Sequence, residues 1–156
     1  MLRAERRRRT DLLAAALITL LVLISAVIVV VTSPAAHTTS ITAVGPLPIE
    51  PAEPIEVPAT LTETWRQRSP STSMPVVAGP VVVTGNGSTV TGRDPLTGAQ
   101  RWLYRRDLPL CTVGAGWKMA IAVYRNGSYC SEVTALRADT GVRGPQRNSD
   151  VPPGTQ

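Results

Sequence analysis

The stretch from Leu12 to Val31 carries no charged side chain, and Arg6-Arg7-Arg8-Arg9 stands just ahead of it. No other feature limits the fold so strongly. At about 1.5 Å rise per residue, a helix of this length spans the roughly 30 Å hydrocarbon core of a bilayer. Its only polar side chains, Thr19 and Ser25, can bond back to helix carbonyls. No Lys or Arg follows until Arg66. The positive-inside bias then keeps the N-terminus cytoplasmic and exports the remaining roughly 125 residues. A buried core helix is disfavoured, because no polar face interrupts the run. A cleavable signal peptide is the other reading, with small residues at Ser33-Pro34-Ala35-Ala36. The run is longer than the usual apolar region of about 7–15 residues, and Pro34 spoils the cleavage site. The expectation is a single-pass plasma-membrane anchor, with an extracytoplasmic C-terminal portion under either reading.

The formal charge of +5 does not imply a nucleic-acid partner. Five of the sixteen basic residues, Arg3 and Arg6 to Arg9, precede the apolar run, where they serve topology and attraction to anionic lipid. Beyond it, eleven basic side chains face nine acidic ones. Arg101, Arg105 and Arg106 alternate around Trp102 and Tyr104, which reads as the solvent face of a strand without a nucleic-acid motif.

Four zones and a tail follow: a basic tail over 1–11, the span over 12–32, a proline-rich linker over 33–59, β repeats over 60–150 and a tail over 151–156. Pro34, Pro46, Pro48, Pro51, Pro54 and Pro58 punctuate the linker. Such density denies helix donors and favours a semi-rigid stalk, ~50–70 Å long if extended at about 3.1 Å per residue. The portion beyond it contains no Phe, is rich in Val and Thr, and is broken by frequent turn residues, which predicts an all-β portion. Cys111 and Cys130 both lie there, in a compartment where disulfides persist. A bridge between them and two separate buried thiols are the alternatives, since spacing does not establish the Cα separation. With only His37 besides, these cysteines give no zinc-site pattern, and no metal or cofactor is expected.

Short strands and turns are predicted from residue 60: Leu61 to Trp65, Val76 to Ala78, Val81 to Thr84, Thr89 to Arg93 and Ala99 to Arg105. Gly79-Pro80, Gly85-Asn86-Gly87-Ser88 and Asp94-Pro95-Leu96-Thr97-Gly98 separate them. The series recurs. Ile121 to Tyr124, Asn126-Gly127-Ser128, Val133 to Leu136 and Ala138-Asp139-Thr140-Gly141 match its members in order, with about three extra residues near Tyr129-Cys130-Ser131. The two Asn-Gly-Ser triplets also fit an N-glycosylation acceptor, but hairpin turns explain them better. A period near forty, with Gly-centred turns, is the signature of propeller blades.

Asp94, Thr97, Gly98 and Trp102 fall on a D-x-x-T-G-x-x-x-W segment that resembles the blade repeat of pyrroloquinoline-quinone-like β-propellers. Basic tail, anchor, stalk and blades together are similar to membrane-anchored propeller proteins of actinobacteria. The resemblance implies a partial propeller of about two blades, with Asp94 and Thr97 bonding turn amides, Gly98 closing the turn, and Trp102 packing between blades. The second copy keeps Asp139, Thr140 and Gly141 but has Arg137 for the acidic residue and Pro145 for the tryptophan. Two blades cannot close a ring, so the chain is expected to be a truncated form of a longer propeller or to assemble between copies.

The resemblance implies two functions. One is a noncatalytic binding or scaffold module of the bacterial cell envelope with a protein partner, and this is the expectation. The alternative is a fragment of a quinone-dependent dehydrogenase-like propeller, which needs carboxylates gathered over calcium. Here Glu63, Asp107, Glu132 and Asp150 look isolated, without paired-carboxylate spacing or a nucleophile–base pair, so no catalytic residues are assigned.

Overall fold

The apolar run forms α1, Leu2–Thr32, in which Thr19 Oγ1 donates to the Ala15 carbonyl at 2.9 Å and Ser25 Oγ to that of Leu21 at 2.7 Å. Its Thr10–Thr32 segment is long and apolar enough for a membrane anchor or a signal sequence, and Leu13, Leu17, Val22 and Val29 stand exposed along it. A computed structural model of the chain describes residues 2–33, 36–45, 60, 62–72 and 74–148, with side chains from Thr10 to Arg147. The arginines of the tail, the stalk prolines and the 151–156 tail lie outside these described side chains. The chain divides into two units, Met1–His37 and Thr38–Gln156.

The second unit holds the strands, numbered β1 to β9 in chain order. The first sheet contains β1 (Thr38–Ile41), β2 (Val76–Ala78), β3 (Val81–Asn86), β4 (Thr89–Arg93) and β5 (Gln100–Arg106) in the order β1-β5-β4-β3-β2. The second contains β6 (Leu110–Gly116), β7 (Met119–Asn126), β8 (Tyr129–Arg137) and β9 (Arg143–Asn148), in chain order. All pairs are antiparallel. Each sheet is therefore a four-stranded meander, with β1 added to the outer edge of the first.

Alternation decides what is inside. Val83, Gly92 and Trp102 are cross-strand neighbours, as are Val90 and Tyr104, so these side chains share one face and are buried. On the second sheet, Ala120 opposite Leu136, Ala122 opposite Thr134, and Tyr124 opposite Glu132 define the buried face. The two faces form one core, in which Tyr104 of the first sheet meets Tyr124 of the second. β6 lies against β2, β3 and β4 at the junction. Among the described residues the sheets close neither a barrel nor a ring.

Three expectations change. Thr38–Ile41, read as stalk, is a strand, pairing Thr38 with Arg106 and Ile41 with Leu103. Its four proline-free residues supply backbone partners that the open edge of β5 would otherwise lack. Residues 62–65, read as a strand, make no ladder, and Trp65 is held instead by its side chain. Arg106, read as solvent-facing, is buried, because it shares the two-residue phase of Trp102 and Tyr104.

Candidate functional site

The turns after β4 and β8 are built alike. In the first, the Gly98 N–H donates to the Asp94 carbonyl and the Asp94 N–H to the Ala99 carbonyl, both at 2.9 Å. In the second, the Gly141 N–H donates to the Arg137 carbonyl at 2.7 Å and the Arg137 N–H to the Val142 carbonyl at 2.9 Å. Gly98 and Gly141 close them at φ 71° and 72°, a conformation that costs a side-chain-bearing residue energy.

Their side-chain supports differ. Asp94 Oδ1 accepts from the backbone N–H groups of Leu96 and Thr97 at 3.0 Å each and from the Thr97 hydroxyl at 3.1 Å. Those bonds, the Thr97 N–H first, hold the Asp94 carboxyl below its ordinary pKa. Arg137 replaces this acceptor in the second turn and grips Asp139 with two nitrogens, at 3.3 and 3.0 Å. That pairing lowers the Asp139 pKa and raises that of Arg137. Thr140 Oγ1 also donates to Asp139, at 3.3 Å.

A tryptophan plugs each turn. The Trp102 indole N–H donates to the Ala138 carbonyl at 2.8 Å, and its ring lies against Gly141 closely enough that a Cβ there would come within 2.6 Å of it. The Trp65 indole N–H donates to the Pro95 carbonyl at 2.9 Å, and a Cβ on Gly98 would approach its ring to 2.7 Å. Pro95 and Ala138 are each the second residue of their turn, so the two contacts are one interaction made twice. Trp102 makes it across the sheets. Trp65 makes it from the irregular segment 62–72, which also holds the first sheet through Gly85 N–H donated to Ser69 Oγ at 2.8 Å. A cleft of about 320 Å³ lies there, lined in part by Trp65, Met74, Pro75 and Thr84.

Compared with protein families, curated proteins and solved structures, the chain matches none of them. Its own geometry has to carry the functional argument.

Beneath Trp102 lies a polar layer that sequence reasoning missed. Arg106 donates from β5 to Glu132 on β8 at 3.2 Å, both side chains buried, and its guanidinium sits 5.5 Å from the centre of the Tyr124 ring. Tyr104 meets Tyr124 edge-on at 6.4 Å. Burial pushes the Tyr124 phenol well above its usual range. Glu132, read as isolated, is thus half of an ion pair between sheets. The even spacing of Trp102, Tyr104 and Arg106 was the available signal.

Cys111 and Cys130 form a disulfide with Cα atoms 6.2 Å apart. They lie on β6 and β8, with β7 between, and strands once removed in a regular sheet are about 9.5 Å apart. Irregularities at both cysteines close that gap. Cys111 is the extra residue between Leu110 and Thr112, and Cys130 and Ser131 together face the single Arg125. The extra residues foreseen near Tyr129 are thus where the bridge is made. Among the described residues no cluster of three His, Cys, Asp or Glu side chains is placed to hold a metal.

Proposed function

We propose that this chain is a membrane-anchored, extracytoplasmic binding or scaffold module of the bacterial cell envelope, built from two propeller-type blades. The observation that carries this reading is the repeated tryptophan plug. Trp65 enters the Asp94–Gly98 turn as Trp102 enters the Arg137–Gly141 turn. A unit that offers a plug on one side and a turn on the other is suited to stacking, as blades stack around an axis. Pro145 stands where the next plug would be, on an edge strand that tolerates proline.

Four acids among the described residues favour binding over catalysis. Asp94 caps a turn, Asp139 holds Arg137, Glu132 holds Arg106 and Glu63 holds Arg66 at 2.6 Å. Each already has a structural role at a separate place. The helix supports an anchor by its length and apolarity, and the disulfide suits an oxidising compartment. Anchoring would raise the concentration of the module near membrane-bound partners.

Mild crosslinking in intact cells, followed by purification of the full chain from membranes, tests the proposal. The expected result is a reproducible envelope protein partner. Quinone absorbance with dye-linked alcohol or sugar oxidation by the purified chain would overturn it in favour of a dehydrogenase.

A further inference from the structure

Five residues, 33–37, are all the chain between α1 and β1, about 20 Å at full extension. Within the first unit, His37 Nε2 lies 3.1 Å from the Val31 carbonyl oxygen, so little of that length is used. Pro46, Pro48, Pro51, Pro54 and Pro58 all follow β1 and add nothing to it. The ladders show which residues share the end of the second unit at which β1 starts. Thr38 pairs with Arg106 and Thr39 with Arg105, which in turn pairs with Thr89. The Arg106 N–H donates to the Ser88 carbonyl at 3.3 Å, and the Leu110 N–H to that of Gly87 at 2.8 Å. The Arg125 N–H donates to the Pro109 carbonyl at 2.8 Å, which brings the β7–β8 turn to the same end.

This end is basic. Arg105 and Arg125 are exposed there, and so are Arg68 and Arg147. Arg68 lines one surface hollow with Asn86, the last residue of β3, and Arg147 sits on β9 beside the Glu132–Asn148 pair. None of the four forms an ion pair with another described residue. Among the described residues of this end, Asp107 is the one exposed acid. Tyr129, next to the β7–β8 turn, is 54 % exposed. The opposite end differs. There Arg66 is paired with Glu63 and Arg137 with Asp139, and the β6–β7 turn holds Trp117 and Lys118 at φ 47° and 61°.

We propose that the end of the unit at which β1 starts binds the phosphates of anionic phospholipid headgroups through Arg68, Arg105, Arg125 and Arg147, with Tyr129 at the level of the interface. The inference rests on the anchored, extracytoplasmic reading above and adds which end of the unit meets the bilayer. The occupant is lipid because the short tether delivers this end, and not the opposite one, to the membrane surface. Electrostatic attraction fades within a Debye length, about 8 Å at physiological salt, so that delivery decides whether the charges act. A plane of phosphates offers negative charge over a wide area, and arginines from separate elements can each meet one. A guanidinium grips phosphate with paired N–H donors. Each basic side chain near an anionic surface strengthens attachment about fivefold. Tyr favours the headgroup level.

The test uses the full chain in nanodiscs of phosphatidylcholine, alone or mixed with phosphatidylglycerol. An arginine-directed dicarbonyl is added, and the adducts are read residue by residue by mass spectrometry. The expected result is modification of Arg68, Arg105, Arg125 and Arg147 that is about fivefold slower in the anionic discs and is restored by molar salt. Arg143, exposed at the opposite end, should react alike in both lipids. Equal rates for the four arginines in the two lipids overturn the proposal. That holds whether they react freely or are shielded in both, since shielding blind to lipid charge marks another contact. Slowing of Arg143 to the same degree also overturns it. Gel filtration scores the anchor separately. Elution of the chain apart from the discs defeats the anchored reading and this inference with it, whereas co-elution with unshielded arginines defeats this inference alone.

Discussion

Trp102 and Gly141 are 39 positions apart on different sheets, yet the indole of one leaves no room for a Cβ on the other. Trp65 and Gly98 repeat the arrangement one unit earlier. The ring of Trp102 is also pressed against Gly92, its neighbour across the β4–β5 ladder, where a Cβ would come within 2.1 Å. Trp102 is therefore held between two glycines, one on its own sheet and one on the next. Trp65 is only partly buried.

This difference sets the order of two substitutions. Gly141→Ala combines a left-handed φ with a backbone-anchored clash against a buried ring, and should cost about 2–4 kcal/mol. Gly98→Ala meets a ring that can swing toward solvent, and should cost about 1–2 kcal/mol. Urea titrations of the two variants in detergent micelles, followed by far-ultraviolet dichroism, give the comparison. Equal losses would mean the two plugs are equally rigid, contrary to the burial difference.

The Arg106–Glu132 pair makes a second prediction. Removing one partner strands the other charge inside, so Glu132→Ala should cost about 3–5 kcal/mol. Replacing both with Met and Leu should cost less than the single change. A double substitution at least as damaging as the single one would show that the pair is not the determinant.

The bridge between β6 and β8 closes a separation of 19 residues. Cys111→Ser should lower stability by about 2–4 kcal/mol and open the β7–β8 hairpin to trypsin at Arg125. A digestion pattern identical to the wild type would remove the bridge from the account.

Acid should weaken the turns. The carboxyls of Asp94 and Asp139 are held below their ordinary values, Asp94 chiefly by the Thr97 N–H and Asp139 chiefly by the Arg137 side chain. As pH falls, the unfolded chain binds protons first. The stability these groups contribute is complete above the ordinary Asp value of about 3.9 and is lost as pH passes through their lower folded values. Asp94→Asn should flatten the acid limb of a plot of melting temperature against pH. An unchanged limb would assign acid sensitivity to other groups.

Much of this was legible in the chain. β-branched runs set between Gly-Pro and Asn-Gly turns marked β2, β3 and β4, with β4 at its observed bounds. The matching turns around Gly98 and Gly141 were visible as a spacing. What escaped depended on non-local partners. β1 is a strand because β5 has an open edge, which four residues inside a proline-rich stretch do not announce. Trp65 is fixed by the Pro95 carbonyl rather than by a ladder. Glu132 looked isolated because its partner lies 26 positions away on another sheet. The left-handed turn at Trp117 contradicts the residues that occupy it, so local turn chemistry could not foresee it.

The two sheets form one stack joined by the plug at Trp102. Amide hydrogen exchange on the full chain and on Trp102→Ala and Trp65→Ala tests it most directly. Trp102→Ala should lower protection in both sheets together, in β3 to β5 and in β7 and β8, while Trp65→Ala should loosen mainly the Asp94–Gly98 turn. Protection lost from the first sheet alone in Trp102→Ala, with the second sheet unchanged, would contradict it.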